Sequence, residues 1–162
     1  MRIGIDLGGT KTEGILMTDA GEVAASIRRP TPRALGYEAI LTSIAKLVDE
    51  LERHAGTSCR VGIGTPGSID RRNGRLRNSN TTCLNGRPFA LDVSKALGRP
   101  VRIENDANCF ALSEAIDGAA ADANVVFGII MGTGVGGGVV VNGRLLAGPN
   151  HITGEWGHNP LV

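Results

Sequence analysis

Ile103-Glu104-Asn105-Asp106-Ala107-Asn108 is the stretch on which the fold turns. Val101 to Ile103 reads as a short apolar strand that ends in a burst of polar residues and runs into a helix expected over Ala107 to Ile116. A carboxylate at the C-terminal end of a strand, where a helix begins, is a common position for chemistry in α/β proteins. Asn105 and Asp106 carry short side chains on that platform, and the carboxylate of Asp106 can accept a proton from a substrate hydroxyl. The competing role is structural, because Asn or Asp at this point also caps a helix. Caps far outnumber active sites, so this stretch alone favours capping.

Upstream, Arg2 to Leu7 reads as an apolar strand that breaks at Gly8-Gly9. Thr12 to Thr18 reads as a second strand and, after the turn Asp19-Ala20-Gly21, Glu22 to Arg28 as a third. Tight turns between them predict an antiparallel meander. Pro30 and Pro32 are expected to end strand structure. From Tyr37 to His54, Ile40, Ile44, Leu47, Val48 and Leu51 recur at helical spacing, and Gly56 closes the helix. Arg60 to Thr65 reads as a buried strand stopped by Pro66-Gly67. Residues 68–88 are polar and turn-rich, too long for an ordinary connection, and loops of that kind often carry function. Phe89 to Leu97 reads as a short helix.

Downstream, Asp117 to Asn124 reads as a linker of small residues. Val125 to Met131 then reads as a strand, followed by a glycine turn, a strand over Val139 to Val141, and the hairpin signal Asn142-Gly143. The change of pattern puts a domain boundary near residue 118. Residues 1–118, in the order β-β-β-α-β-α-β-α, make one α/β domain. Residues 119–162 begin a second sheet, expected to hold at most three strands with no helix to cover them.

Composition narrows the partners. The chain has 162 residues, 41% of them apolar and 20% charged, with a net charge of +1. Such a balance gives no electrostatic reason to expect nucleic acid or an anionic membrane. No apolar run approaches the roughly 20 residues of a membrane span, and Asp6 interrupts the first apolar segment where a signal peptide would be continuous. Cys59, Cys83 and Cys109 are odd in number, widely spaced and form no CxxC, so neither a disulfide framework nor a zinc knuckle is visible. A reducing cytoplasm is the expected setting.

Two glycine loops stand out. In Asp6-Leu7-Gly8-Gly9-Thr10-Lys11-Thr12, between two strands, paired glycines let backbone N–H groups turn toward an oxyanion. Thr10 adds a hydroxyl, and Lys11 or the charge of Asp6 can engage a phosphate or its Mg²⁺. No Gly-Lys pair and no following helix are present, so this is not a Walker loop; a plain hairpin turn is the alternative. Gly132-Thr133-Gly134-Val135-Gly136-Gly137-Gly138 contains GxGxxG, yet a strand rather than a helix follows, which rejects a dinucleotide fingerprint. It is instead a second strand–glycine turn–strand unit like the first, and two such turns suit a triphosphate.

Taken in order, Asp6 to Lys11, Pro66-Gly67-Ser68-Ile69, Glu104 to Asn108, Gly132 to Gly138 and Gly154-Glu155-Trp156-Gly157-His158 resemble the ROK family of sugar kinases and repressors. The resemblance spans the whole chain. It implies an actin-like ATPase fold with ribonuclease-H-like halves, of which residues 1–118 would be the N-terminal domain and residues 119–162 the start of the second. It implies ATP-dependent phosphorylation of a hexose with Mg²⁺. Asp6, Gly8, Gly9, Thr10 and Lys11, together with Gly132, Thr133 and Gly134, would hold the ATP phosphates. Asp106 would be the general base, and Gly67, Asn80, Asn105, Glu155 and His158 would bind the sugar. A homodimer is among the assemblies it allows.

The resemblance divides over the sugar. Asn78 to Phe89 and Gly157 to Leu161 look most like the fructokinase branch, whereas Cys109 to Ala115 and Ile152 to Glu155 look closer to N-acetylglucosamine kinase. Fructose is preferred, because the 78–89 loop should face the sugar. Family members would run to about twice this length, as a two-domain fold requires, and carry a CxCGxxGC-type cluster that joins a histidine in a structural Zn²⁺ site. Here His158 would be that ligand, and the site is not expected to be completed by these residues. Family repressors carry a helix-turn-helix ahead of the kinase-like part; this chain begins at the first strand, which speaks against a repressor.

Overall fold

The computed structural model describes residues 1–132, 134–149 and 152–158, with His158 by its backbone alone. Packing divides it into two units, Met1–Glu104 and Asn105–Val162.

The first unit is built on strands β1 (Arg2–Leu7), β2 (Lys11–Met17) and β3 (Val23–Pro30), paired antiparallel. Alternation puts Ile3, Ile5 and Leu7 of β1 on one face, opposite Leu16, Gly14 and Thr12 of β2. Helix α1 (Tyr37–Ala55) buries Ile40, Ile44, Leu47, Val48 and Leu51 in the same core. A Cβ on Gly14 would lie 2.9 Å from Leu51 Cδ1 and 3.0 Å from Leu47 Cδ2, so the glycine lets the helix approach the sheet closely. Gly56 ends α1 in the left-handed region at φ 67°. After this crossover β4 (Arg60–Thr65) pairs parallel with β1, aligning Val61 with Ile3 and Ile63 with Ile5. Next come the hairpin β5 (Ser68–Asp70) and β6 (Arg75–Arg77), helix α2 (Phe89–Ala96) and strand β7 (Arg102–Asn105), giving the sheet order β3-β2-β1-β4-β7.

Strand structure ends at Pro30 as expected: it is the last residue of β3, in register with Lys11 at the sheet edge, where a missing N–H is tolerated. One expectation changes here. The 68–88 stretch holds a hairpin and a 3-10 turn at Thr82–Leu84, anchored by the fully buried Leu76 and Leu84. Phe89 closes this corner, fully buried and edge-on to Tyr37 with ring centroids 6.4 Å apart. Phe89→Ala is expected to destabilise by about 3–5 kcal/mol, read as a lower urea midpoint at unchanged slope.

The second unit comprises helix α3 (Asp106–Ile116) and strands β8 (Val125–Met131), β9 (Val135–Val141) and β10 (Arg144–Leu145), in sheet order β10-β9-β8. Asn142 and Gly143 turn the hairpin at φ 49° and 71°, as a two-residue turn of this hand requires. One expectation is overturned: a helix does cover these strands, since α3 packs Ala111 and Ala115 against Val126 and Val140. A second is corrected as well. Gly136, Gly137 and Gly138 lie inside β9 rather than in the turn before it. The glycines are strand residues because neighbouring backbone comes too close for a side chain. A Cβ on Gly138 would lie 2.8 Å from Ala107 O, and one on Gly128 2.8 Å from Ala111 Cβ. Among the described residues no helix is long and apolar enough to cross a membrane.

Candidate functional site

In the first unit the turn after β1 is held from below. Thr31 Oγ1 donates to Gly8 O at 2.7 Å, Thr31 N donates to Thr10 O at 2.9 Å, and the Thr12 and Thr31 hydroxyls lie 2.8 Å apart. Both threonines are buried. Sequence reasoning missed them, and Thr31 between two prolines carries no pattern that would have pointed to this role. Gly8 N donates to Lys11 O at 2.9 Å, and a Cβ on Gly8 would stand 2.8 Å from that oxygen. The Gly8–Thr10 backbone is thereby fixed in a turn whose outer face, with the exposed Thr10 and Lys11, suits phosphate oxygens.

Gly67 and Asn80 meet the same region. Gly67, at φ 87°, packs against the backbone of β6's end; a Cβ there would run into Arg77 O and stand 2.9 Å from Ser79 N. Asn85 clamps the next turn, accepting from Ser79 N and donating to Ser79 O, each at 2.9 Å. Asn80 is thus delivered to Gly9: a Cβ on Gly9 would lie 3.4 Å from Asn80 Oδ1 and 3.5 Å from Thr81 Oγ1. The structure therefore brings Gly8, Gly9 and Asn80 together, with Gly67 bracing the loop.

Asp6 lies in register with Glu13 of β2, on the sheet face opposite Ile5 and Leu7. Its carboxyl is raised above the ordinary carboxylate range, first by loss of hydration and then by the Glu13 charge, with Arg28 opposing. Arg28 Nε sits 3.0 Å from Glu13 Oε2. The folded state thus holds the Asp6 proton more tightly than the unfolded chain does, so ionisation of Asp6 costs stability as pH rises above its unfolded value of about 3.9. Asp6→Asn is expected to raise the melting temperature at pH 7, and the gain should vanish below about pH 4. A pH-independent difference would contradict this account.

In the second unit, Asn105 and Asp106 divide the work at the start of α3. Asn105 is the N-cap, in extended conformation (φ −62°, ψ 143°), and its Oδ1 accepts from Asn108 N at 3.1 Å. Asp106 is the first helical residue, half-buried, with Oδ1 accepting from Ala107 N at 2.9 Å. The cap that sequence left open between them belongs to Asn105. Glycines of β9 gather the other pieces: a Cβ on Gly136 would lie 3.5 Å from Ala107 Cβ and 3.7 Å from Glu155 Oε2. Gly137 is met on its own side by Gly154 O, 2.6 Å from where its Cβ would be. Glu155 thereby comes beside the first turn of α3. Gly132 and Gly134 lie exposed at the β8–β9 turn, bridged by Gly132 N donating to Gly134 O at 2.8 Å. Thr133 and the side chain of His158 lie outside the described residues.

The zinc expectation finds no support in this donor set. Among the described residues no three His, Cys, Asp or Glu side chains come together as a metal site. Of the cysteines, Cys59 is buried, Cys83 half-buried and Cys109 exposed.

A parallel and antiparallel sheet of order β3-β2-β1-β4-β7, with a glycine turn after its first strand, places this protein in the actin-like ATPase fold class. The chain belongs to the ROK family, whose model matches residues 2–162. It is 44% identical over 161 residues to the N-acetyl-D-glucosamine kinase of Citrobacter koseri, covering 99% of this chain and 53% of the relative. The Escherichia coli O127:H6 N-acetyl-D-glucosamine kinase is 43% identical over the same span, with the same coverage. Among solved structures, the ROK hexokinase of Thermus thermophilus superposes with a TM-score of 0.83 at 36% identity, covering 99% of this chain and 53% of that one. A ROK glucokinase of Streptomyces griseus, solved with glucose and AMPPNP, gives 0.85 at 30% identity, covering 99% and 51%. The chain spans about half the length of the curated relatives it matches.

Proposed function

We propose that this chain serves ATP-dependent phosphorylation of a hexose hydroxyl, with N-acetylglucosamine as the sugar. Asp106 takes the proton of the attacking hydroxyl as its oxygen bonds to the γ-phosphorus, and the bond to the bridging oxygen breaks to release ADP. Asn105, Gly67, Asn80, Glu155 and His158 bind the sugar. Asp6, Gly8, Gly9, Thr10 and Lys11, with Gly132, Thr133 and Gly134, hold the phosphates, and Mg²⁺ supplies charge neutralisation when bound. Residues 1–118 act as the N-terminal domain and residues 119–162 as the start of the second, in a cytoplasmic protein able to form a homodimer.

One observation carries this reading: Asn105 caps α3, so Asp106 is not required as the cap and its carboxylate stands at a strand end where a base is useful. The sugar rests on the N-acetyl-D-glucosamine kinases at 43–44% identity. Fructose is the second reading, favoured by the 78–89 loop, whose Asn80 stands against Gly9.

ADP release with ATP and Mg²⁺, measured against N-acetylglucosamine, fructose, mannose and glucose, tests both. N-acetylglucosamine should exceed the others by about tenfold or more. A fructose preference would move the assignment to fructokinase. Absence of sugar-dependent release and of calorimetric sugar binding with all four would sink the proposal.

A further inference from the structure

Two hydroxyls in the first unit are enclosed with no protein group to bond. Thr65, the last residue of β4, is 1% exposed, and Ser68, the first residue of β5, is 8% exposed. Neither Thr65 Oγ1 nor Ser68 Oγ has a hydrogen-bond partner among the described residues. A hydroxyl taken out of water without a partner is destabilising, and protein interiors seldom leave one so. Other buried hydroxyls of this unit are paired. Those of Thr12 and Thr31 lie 2.8 Å apart, and Ser79 Oγ accepts from Thr81 N at 3.1 Å.

The local sequence explains why the chain does not satisfy this pair. Only Pro66 and Gly67 separate the two residues. Proline has no N–H to donate, and glycine has no side chain to offer. Gly67 stands at φ 87° with the backbone of residues 77–79 where its Cβ would be, so the bend cannot slide to bring another group to either hydroxyl. Ser68 is fixed by its register with Arg77, and Thr65 by the strand that aligns Gly64 with Asp6. Packing alone requires neither oxygen, since valine and alanine would fill the same space without one. A buried water needs about two to four polar partners, and two hydroxyls meet that minimum. With O–H···O bonds of about 2.8 Å, one water reaches across about 5 Å, a span suited to side chains that flank a two-residue bend.

We infer that one buried water bridges Thr65 Oγ1 and Ser68 Oγ and pins the Pro66–Gly67 bend between them. Thr65 and Ser68 are then positioning residues for Gly67. That consequence, unlike the water site itself, rests on the reading of Gly67 as a sugar-binding residue.

A high-resolution crystal structure of this chain should show one ordered water within hydrogen-bond distance of both oxygens. Thr65→Val and Ser68→Ala should each raise the unfolding equilibrium constant by about 5- to 30-fold, because removing one hydroxyl frees the water and strands the other. The double variant should be no less stable than the worse single one, since no hydroxyl is then left stranded. Each single variant should also raise the sugar KM by about three- to tenfold with kcat held within about twofold, a split that lost stability alone does not produce. Single variants as stable as wild type or more so, losses that simply add, or a structure without a shared water would overturn the water site. Destabilised variants with an unchanged KM would uphold the water and overturn the positioning role. A wild-type chain without sugar-dependent turnover would count against the kinase reading, and the stability cycle would still decide the water site.

Discussion

Asp106→Asn is expected to lower sugar-dependent ADP release by about 10²- to 10⁴-fold, the usual span of a general base, and to leave stability within about 0.5 kcal/mol of wild type. The substitution is isosteric. Asn keeps the oxygen that accepts from Ala107 N, and the cap bond from Asn108 N runs to Asn105, which is untouched. What disappears is the ability to accept a proton. If Asp106 serves only the helix, activity will survive and the unfolding midpoint will carry whatever change there is. Loss of turnover with an unmoved midpoint assigns the base; retained turnover removes Asp106 from that role. A pH profile separates the two further, because the acidic limb of the rate belongs to the base and should be missing in the variant's residual activity.

What could be read from sequence followed the reach of the forces involved. The α1 helix and the β1–β2 pair were legible because their apolar spacing is local and their burial strong: Ile3, Ile5 and Leu7 alternate, and Ile40, Ile44, Leu47 and Leu51 recur at helical period. The β5–β6 hairpin was not legible, since each strand is three residues long and its polar side chains find their partners only on folding. Arg72 on Asp70 at 2.7 Å is one example, and in the loop that follows the hairpin Asn85 clamps Ser79 in the same way. Pro30 marked the end of β3 correctly, while its pairing with Lys11 depends on the strand's being at an edge, a property of the sheet and not of the residue. The glycines of β9 misled for a related reason. Glycine is a poor strand former by itself, and only the approach of α3 and of Gly154 makes its absent side chain an advantage.

At the candidate site the residue types were legible, and their division of labour was not. Asp106 and Asn105 both fit a cap or a site by chemistry, and the backbone angles of Asn105 decided between them. The Gly8–Gly9 turn was evident, yet the Thr12 and Thr31 hydroxyls that fix it come from different strand ends. Asn80 could be nominated only by resemblance; its place beside Gly9 is set by Gly67 and Asn85, which shape the loop by backbone contacts.

Gly138→Val is expected to couple stability to activity more tightly than any other single change in the second unit. A Cβ at this position would lie 2.8 Å from Ala107 O, 2.9 Å from Asn108 Cα and 2.9 Å from Asn108 Oδ1. Two of those three atoms are backbone, so no rotamer change relieves the crowding, and the first turn of α3 must move away from β9. Overpacking of this kind costs about 1–3 kcal/mol or more. The same displacement carries Asp106, whose carboxylate sits on that turn, and a shift of about 1 Å at a reacting group costs about 10²-fold in rate. Urea unfolding and ADP release measured on one preparation should therefore fall together, with faster hydrogen exchange at the amides of Ala107 and Asn108. Gly62→Ala is the control, because a Cβ on Gly62 meets no atom within 4 Å. It should be neutral or slightly stabilising, as a strand glycine replaced without strain loses unfolded-state entropy. A Gly138→Val chain as stable and active as wild type would show that the first turn of α3 yields to a side chain there, and the account of β9 as the strand that seats Asp106 would fail with it.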